Sequence, residues 1–230
     1  MKFLKQPSLL VALSLISWCS CSGIDAHAGA VAPTPYLSAS DSPWTGGAWS
    51  YFYLEDFEDG VLDQPGVVAE GAQSILLAGG TFTDSVDADD GTIDGSGSNG
   101  RSQYTNAAAA GITYRFDETS LGALPSHAGI VWTDLSGDAE VFLEAFDAAN
   151  VSLGVLDAGA LNDGVSTGQT AEDRFLGWEH AAGISAIRIY QSASDMEVDH
   201  LQYGLQIPEP AACFLWCGVL LATFSRRPIR

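Results

Sequence analysis

The segment from Asp84 to Asp94 has the densest cluster of groups able to do chemistry, with five carboxylates in eleven residues. Hard oxygen ligands on a glycine-containing loop suit Ca²⁺, which takes about six to eight of them. The spacing is not that of an EF-hand, because Gly91 at the loop's glycine position would make Val86 the first ligand. A solvated acidic surface loop is the alternative. The candidate Ca²⁺ ligands are Asp87, Asp89, Asp90 and Asp94.

Aromatic residues offer a second kind of site, on which sugar rings stack while acids accept hydrogen bonds from hydroxyl groups. Trp44 and Trp178 lie beside Pro or Gly, so we predict that they are exposed and contact a glycan. Trp132 and Tyr114 alternate with aliphatic residues, which predicts that both belong to the core.

Two motifs of nucleotide and metalloprotease sites are missing from the sequence. It contains no Gly-Lys-Ser/Thr phosphate loop and no His-Glu-x-x-His pair. His127, His180 and His200 lack a ligand partner at helical spacing, so we interpret them as structural. A glycosidase needs two facing carboxylates, but no pair among the many acids stands out. We therefore predict that the protein is not an enzyme and has no catalytic residues.

Composition narrows the classes of partner. The 230 residues include 29 acids against nine Lys and Arg, for a formal net charge of -20. Binding nucleic acid requires a basic face, so nucleic acid is excluded as a partner. The stretch from Gly29 to Ile207 contains neither Lys nor Cys. No disulfide can stabilise it, and its stability must come from a packed core, bound ions, or both.

The elements that must position these groups have the pattern of strands. In Ile112–Asp117 every second residue is apolar, which places Ile112, Tyr114 and Phe116 on one face. Clusters of Gly, Asp, Asn and Ser separate the candidate strands, as turns do. The other candidates are Trp49–Asp56, Val67–Ala69, Ile75–Leu77, Gly129–Thr133, Glu140–Asp147, Ser152–Leu156, 187–189 and Met196–Tyr203.

Many short strands between turns predict an all-β fold, an antiparallel β-sandwich of jelly-roll-like type over residues 49–204. Apolar and polar residues alternate in its first and last strands, Trp49–Asp56 and Met196–Tyr203. Each of these strands continues into a segment outside the predicted domain. We therefore expect these two strands to lie side by side and close the domain.

The N-terminus has the pattern of a secretory signal. A charged start with Lys2 and Lys5 precedes an apolar stretch, and Ala26-His27-Ala28 offers a small-x-small cleavage site. A lipoprotein signal ending at Cys19 or Cys21 fits less well because bulky Trp18 precedes Cys19. Export through the Sec translocon and cleavage by signal peptidase are expected. The predicted bounds are 1–28 for the signal peptide and 29–48 for a linker.

The C-terminus, residues 205–230, has three parts in order. Pro208-Glu209-Pro210 precedes an apolar run over 211–224 and a basic tail over 225–230 that contains Arg226 and Arg227. In this arrangement the chain resembles the PEP-CTERM sorting signal of Gram-negative bacteria, a motif that has also been labelled an ice-binding protein C-terminal region. Ice-binding bodies usually carry repeated Thr ladders, and only Thr81-Phe82-Thr83 looks like one here.

The resemblance implies recognition by an exosortase, cleavage near the motif and delivery to the cell surface in a lineage that makes exopolysaccharide. An apolar helix over 211–224 would rise only about 21 Å, short of the roughly 30 Å hydrocarbon core. We therefore expect a transient inner-membrane anchor. A buried C-terminal helix is the alternative.

The body also resembles the acidic β-sandwich ectodomains that accompany PEP-CTERM signals and share their outline with carbohydrate-binding modules. Stretches such as 84–95, 129–134, 172–175 and 197–201 carry this resemblance. Three functions follow as hypotheses. The first is a non-enzymatic surface or matrix protein, the second a carbohydrate-binding module acting on exopolysaccharide, and the third a secreted glycan-active enzyme.

Overall fold

The computed structural model describes residues 28–71, 74–77, 83–86, 100–134, 139–161 and 172–208. The strands are β1 (Ala28–Pro35), β2 (Trp49–Glu55), β3 (Val67–Glu70), β4 (Ser74–Leu77), β5 (Ser102–Thr105), β6 (Ile112–Phe116), β7 (His127–Asp134), β8 (Glu140–Phe146), β9 (Ser152–Ala160), β10 (Arg174–His180), β11 (Ala186–Gln191) and β12 (Met196–Gln206). A 3₁₀ helix (Ala39–Asp41) and a short α-helix, α1 (Glu118–Leu121), complete the secondary structure of the described residues.

Within these residues the strands form two antiparallel sheets packed face to face. The seven-stranded sheet has the order β1-β10-β7-β12-β5-β4, and β2 also pairs with β12. The five-stranded sheet has the order β3-β6-β11-β8-β9. This arrangement confirms the predicted jelly-roll-like β-sandwich.

Strand β12 holds the seven-stranded sheet together. One side of it pairs with β7, while the other side pairs first with β5 and then with β2. The register pairs Tyr203 with Tyr53 and Leu201 with Glu55, so the first and last predicted strands do lie side by side. A bulge at His200, whose φ is +42°, shifts the alternation. Val198 before the bulge and Leu201 and Tyr203 after it therefore all belong to the main core.

The main core lies between the sheets and is built from alternate residues of their strands. Its members include Ile112, Tyr114, Ile130, Trp132 and Leu143, none of which exposes any surface. Trp132 and Tyr114 are thus core residues, as their alternation predicts. Burying each such side chain contributes about 1.5–3 kcal/mol, so this core is the main source of stability.

A second, smaller core covers the outer face of the seven-stranded sheet. Val131 and Phe175 point outward from β7 and β10, and they pack under Tyr36, Trp44 and Val86 from the loops. Because both faces of β7 and β10 are buried, neither strand shows the alternation of apolar and polar residues typical of a half-buried strand.

Paired glycines make room for this second core. Gly129 and Gly177 lie opposite each other on β7 and β10. A Cβ added at Gly129 would lie 2.4 Å from the Phe175 ring, and one at Gly177 would lie 3.0 Å from the Trp44 ring. The two glycines thus form a depression in the sheet in which the aromatic rings sit.

The structure corrects the predicted linker over 29–48. Residues 28–35 form β1, an edge strand that pairs with β10, and residues 39–41 form the 3₁₀ helix. Two prolines and several small residues suggest a linker, but an edge strand tolerates Pro because one side of its backbone needs no partner. The register shift between Val31 and Thr34 accommodates Pro33.

Candidate functional site

A cleft opens at one end of the seven-stranded sheet, where β2 and β7 begin and β10 and β12 end. It consists of two adjoining cavities of about 680 and 290 Å³, within the range of small-ligand sites. His127, Glu179 and Gln206 line both cavities. Trp49 and the turn over 43–47 line the smaller one, and Ser50 and His180 line the larger one.

Glu179 is the charged group of this cleft, and its side chain is 50% exposed. Its Oε1 accepts a hydrogen bond from Trp44 Nε1 at 3.2 Å and lies 3.6 Å from His127 Nε2. No hydrogen bond to Oε2 comes from the described residues. One carboxylate oxygen is therefore held in place by the protein, and the other is available to a ligand.

His127 forms the floor of the cleft, directly opposite Glu179 in the register of β7 and β10. Burial lowers the pKa of His127 below its ordinary value, although the Glu179 carboxylate opposes this effect. The imidazole is therefore neutral at pH 7, and it does not neutralise the carboxylate.

Ser126, His127 and Glu179 are adjacent but do not form a nucleophile of the hydrolase type. Ser126 Oγ lies 2.8 Å from His127 Nδ1, while the carboxylate lies on the Nε2 side of the ring. The hydroxyl is buried and accepts the Gln206 N–H at 2.9 Å. A catalytic serine must reach its substrate, and this hydroxyl is instead held by the backbone of β12.

Trp49 supplies a partly exposed aromatic ring at the cleft. The edge of the ring stands against His127 at a centroid distance of 5.0 Å, and Phe52 packs 5.0 Å away. A Cβ added at Gly47 would lie 2.6 Å from Trp49 Nε1, so the glycine turn lies directly against the indole. Gly46, with a φ of +83°, turns the chain at this point. The ring is thus fixed in orientation.

The two tryptophans predicted to contact a glycan are buried, each only 6% exposed. Trp44 lies in the second core, edge-on to Phe175 at 4.9 Å. Trp178 points into the main core, where its Nε1 donates to Leu143 O at 3.1 Å. Their neighbouring Gly and Pro residues allow close packing and do not produce exposure. Trp44 contributes to the cleft through its hydrogen bond to Glu179.

The predicted Ca²⁺ ligands Asp87, Asp89, Asp90 and Asp94 lie outside the described residues, so the predicted metal site stays a prediction. The described residues contain no group of three or more His, Cys, Asp or Glu side chains that could hold a metal ion.

The start of the acidic segment is anchored to the sheet. Asp84 N–H donates to Glu197 at 2.8 Å, and Ser85 Oγ and Val86 N–H donate to Asp199 at 2.9 Å. Two carboxylates of β12 therefore hold residues 83–86 against the outer face of the sheet.

Asp173, just before β10, lies beside this anchored segment. Its side chain is completely buried, and neither carboxyl oxygen has a hydrogen-bond partner in the described part of the chain. Burial raises the pKa of Asp173 well above its ordinary value, and the nearby carboxylates of Asp84, Asp199 and Glu172 raise it further.

The remaining described histidines are His200 and His180. His200 is buried in the bulge of β12, where its Nδ1 lies 3.0 Å from Tyr36 Oη. His180 ends β10 and lines the larger cavity.

Only the first residue of the sorting motif falls within the described residues. Pro208 is exposed after β12, at the edge of the larger cavity. Glu209, Pro210, the apolar run 211–224 and the tail with Arg226 and Arg227 lie outside the described part, as do residues 1–27 of the predicted signal peptide. Among the described residues no helix is long and apolar enough to cross a membrane.

The outer face of the five-stranded sheet carries a different aromatic pair. Phe142 and Tyr190 stack at 5.1 Å, and Arg188 lies 4.5 Å above the Tyr190 ring. Arg188 also lies 3.9 Å from Glu144. Arg188 therefore covers one face of the Tyr190 ring.

Sequence reasoning missed His127 and Glu179 as site residues, and it counted Trp49 among the possible stacking aromatics but selected Trp44 and Trp178 instead. His127 and Glu179 are more than 50 residues apart in the sequence and are joined by the pairing of β7 and β10. The strand β10 was itself not predicted, so no pattern could bring the two together. Gly46-Gly47 beside Trp49 was the one local signal available, since adjacent glycines favour a tight turn against a ring.

No protein-family model matches the chain, and no curated protein matches it. Among solved structures, the chain is similar to the CBM22-1–GH10 modules of the Clostridium thermocellum endo-1,4-beta-D-xylanase 10B, complexed with xylohexaose. The identity is 10% and the TM-score 0.35, over 67% of this chain and 27% of that one. The chain thus spans about a quarter of that structure.

Two further solved structures are similar to the chain. The C-terminal family 22 carbohydrate-binding module of the same Clostridium thermocellum enzyme is 13% identical with a TM-score of 0.30, over 71% of this chain and 98% of that one. A xylan-binding domain from CBM 22 is 13% identical with a TM-score of 0.29, over 72% and 99%. None of these similarities identifies a ligand, and the fold rests on the two sheets described above.

Proposed function

We propose that the chain is a non-catalytic carbohydrate-binding domain that is exported and delivered to the cell surface. The cleft at the end of the seven-stranded sheet is the observation that supports this function best. It combines the fixed, partly exposed ring of Trp49 with the carboxylate of Glu179 and the amide of Gln206. Sugars present an apolar face of C–H groups and a rim of hydroxyl groups, which suit a ring and polar acceptors respectively.

The volume of the cleft favours a short stretch of glycan. Cavities of about 680 and 290 Å³ adjoin at His127 and Gln206, so a chain of two or three sugar units can pass from one to the other. The cleft is open to solvent, which allows a polymer to enter without a conformational change.

The composition of the cleft supports binding over hydrolysis. A glycosidase places two carboxylic acids on either side of the scissile bond, about 5 to 10 Å apart. Among the described residues that line the cleft, Glu179 is the sole carboxylic acid. A secreted glycan-active enzyme is therefore the less supported function.

Binding to neutral glycans tests this function. Titration of the full chain with soluble xylan, β-glucan and mannan oligosaccharides should show saturable binding by calorimetry or NMR. Trp49→Ala removes the stacking ring and should weaken binding about tenfold or more. Gln206→Ala, which alters an exposed side chain, should weaken it without affecting the fold.

Phe142→Ala is the matched control, since it removes a partly buried aromatic ring from the outer face of the opposite sheet. It should leave the affinity unchanged. The absence of binding to every glycan tested, or an equal loss in Phe142→Ala and Trp49→Ala, would count against the cleft.

The sorting signal is the second part of the proposal, and it rests on the sequence. Replacing Pro208-Glu209-Pro210 by three Ala residues should leave the precursor in the inner membrane, because a processing enzyme must see an extended peptide at a fixed depth. Pro208 is exposed where the chain leaves β12, which fits access by such an enzyme. Cell fractionation measures the outcome, and unchanged surface delivery would favour a buried C-terminal helix instead.

A further inference from the structure

We propose that the ligand of the cleft is a glycan with free amino groups, and that Glu179 selects it by pairing with a sugar ammonium group. This inference rests on the proposed carbohydrate-binding function and names the chemical class of its ligand. It follows from the charges in and around the cleft.

The first observation is that one carboxylate oxygen of Glu179 is available. Oε1 is held by Trp44 Nε1, whereas no described residue donates a hydrogen bond to Oε2, and the side chain is half exposed. A carboxylate in this position can form a charge-assisted hydrogen bond, which is roughly twice as strong as a neutral one.

The second observation is that no Lys or Arg side chain of the described residues lies in the cleft to pair with this carboxylate. No Lys or Arg is among the described residues that line the cleft. Between Gly29 and Ile207 the chain has no Lys and four Arg residues, none of them in the cleft. Burial lowers the pKa of His127, so the imidazole nearest the carboxylate is neutral at pH 7. No Lys or Arg side chain therefore compensates the negative charge of Glu179.

These charges set an order of ligand preference. An amino sugar brings the missing positive charge, a neutral sugar brings only hydroxyl donors, and a uronic acid brings a second carboxylate that repels the first. The negative net charge of the chain acts in the same direction at longer range. Specificity against uronic acids then comes from repulsion as much as from new contacts.

Three short oligosaccharides of matched length test the inference. The full chain, in a neutral detergent at pH 7, is titrated with trimers of glucosamine, N-acetylglucosamine and galacturonic acid. The glucosamine trimer should bind about tenfold more tightly than its N-acetylated counterpart, the difference between a charged and a neutral hydrogen bond. The galacturonate trimer should not bind measurably.

Charge-matched variants separate a specific pair from general attraction between a polyanion and a cation. Glu179→Gln keeps an acceptor for Trp44 and should abolish the preference for glucosamine. Glu140→Gln removes the same charge from an exposed position at the start of β8, in the other sheet, and should preserve the preference.

Each outcome has a defined meaning. Equal affinity for the glucosamine and N-acetylglucosamine trimers, tighter binding of galacturonate, or an equal loss of preference in both variants overturns the inference and leaves the proposed function standing. The absence of binding by all three trimers and by the neutral glycans overturns both.

Discussion

A chain that ends at Ser194 is expected to lose cooperative thermal unfolding altogether. The truncation removes β12, which pairs with β7 on one side and with β5 and β2 on the other. Without it, the seven-stranded sheet separates into unconnected pieces. Met196, Val198, Leu201 and Tyr203 are also removed, and all four are fully buried.

The expected loss of folding free energy is large enough to unfold the domain. Four buried side chains at about 1.5–3 kcal/mol each contribute roughly 6 to 12 kcal/mol. A domain of this kind has a total stability of about 5 to 15 kcal/mol, so little or none remains. The loss of strand pairing on both sides of β12 adds to this cost.

A chain that ends at Pro208 is the control, since it keeps all of β12. It should melt in a single transition like that of the full chain, as measured by circular dichroism. If the chain ending at Ser194 melts as sharply as this control, β12 does not hold the domain together.

The β-sandwich could be predicted because strands such as β6, β8 and β11 alternate between buried and partly exposed residues. In β6, Ile112, Tyr114 and Phe116 are buried while the residues between them are partly exposed, as a period of two requires. The side-by-side arrangement of β2 and β12 could also be predicted, because the two strands lie at the two ends of the predicted domain. These features depend on local pattern and chain order alone.

Strands β10, β5 and β1 were not predicted, because in each of them a physical feature hides the alternation of apolar and polar residues. Both faces of β10 are buried, with Phe175 in the second core and Leu176 in the main core, so its residues read as apolar on both sides. Strand β5 is polar, and its Ser102 and Gln103 are buried through hydrogen bonds to Glu197 and Tyr114. Strand β1 carries proline at an edge.

The site could not be predicted for a related reason. Exposure of Trp44 and Trp178 was inferred from adjacent residues, but burial depends on what covers a ring, and here the cover is a second core built from distant loops. The cleft itself arises from the register between β7 and β10, and from the way β2 and β12 end beside them. Sequence spacing carries no information on that convergence.

Replacing Asp173 by Asn is expected to raise the midpoint of thermal unfolding at pH 7 by several degrees, about 5 °C. The carboxyl group is completely buried without a hydrogen-bond partner among the described residues. Burial raises its pKa well above the ordinary value, and Asp84 and Asp199 raise it further. At pH 7 the folded state must therefore either bury a charged carboxylate or keep the group protonated, although it is ionised in the unfolded chain. Asn avoids both costs.

The raised pKa of Asp173 also determines how its contribution to stability changes with pH. An acid whose pKa is raised in the folded state holds its proton more tightly there than in the unfolded chain. Its stabilising contribution is fully present below the unfolded pKa of about 3.9, and it is lost as the pH rises towards the raised folded value. The parent protein should therefore gain stability from Asp173 as the pH falls from 7 to 5, and Asp173→Asn should lack that gain.

The comparison must be made between variants, because His127 acts in the opposite direction. Burial lowers its pKa, so its contribution to stability is lost as the pH falls below the ordinary histidine value. Both chains carry His127, so the difference between their unfolding midpoints at each pH removes its contribution. Asp157→Asn makes the same chemical change at an exposed site on β9 and should leave the slope unchanged. If Asp173→Asn keeps the slope of the parent and lowers the midpoint at pH 7, the Asp173 carboxylate stabilises the fold in its charged form, contrary to the burial argument.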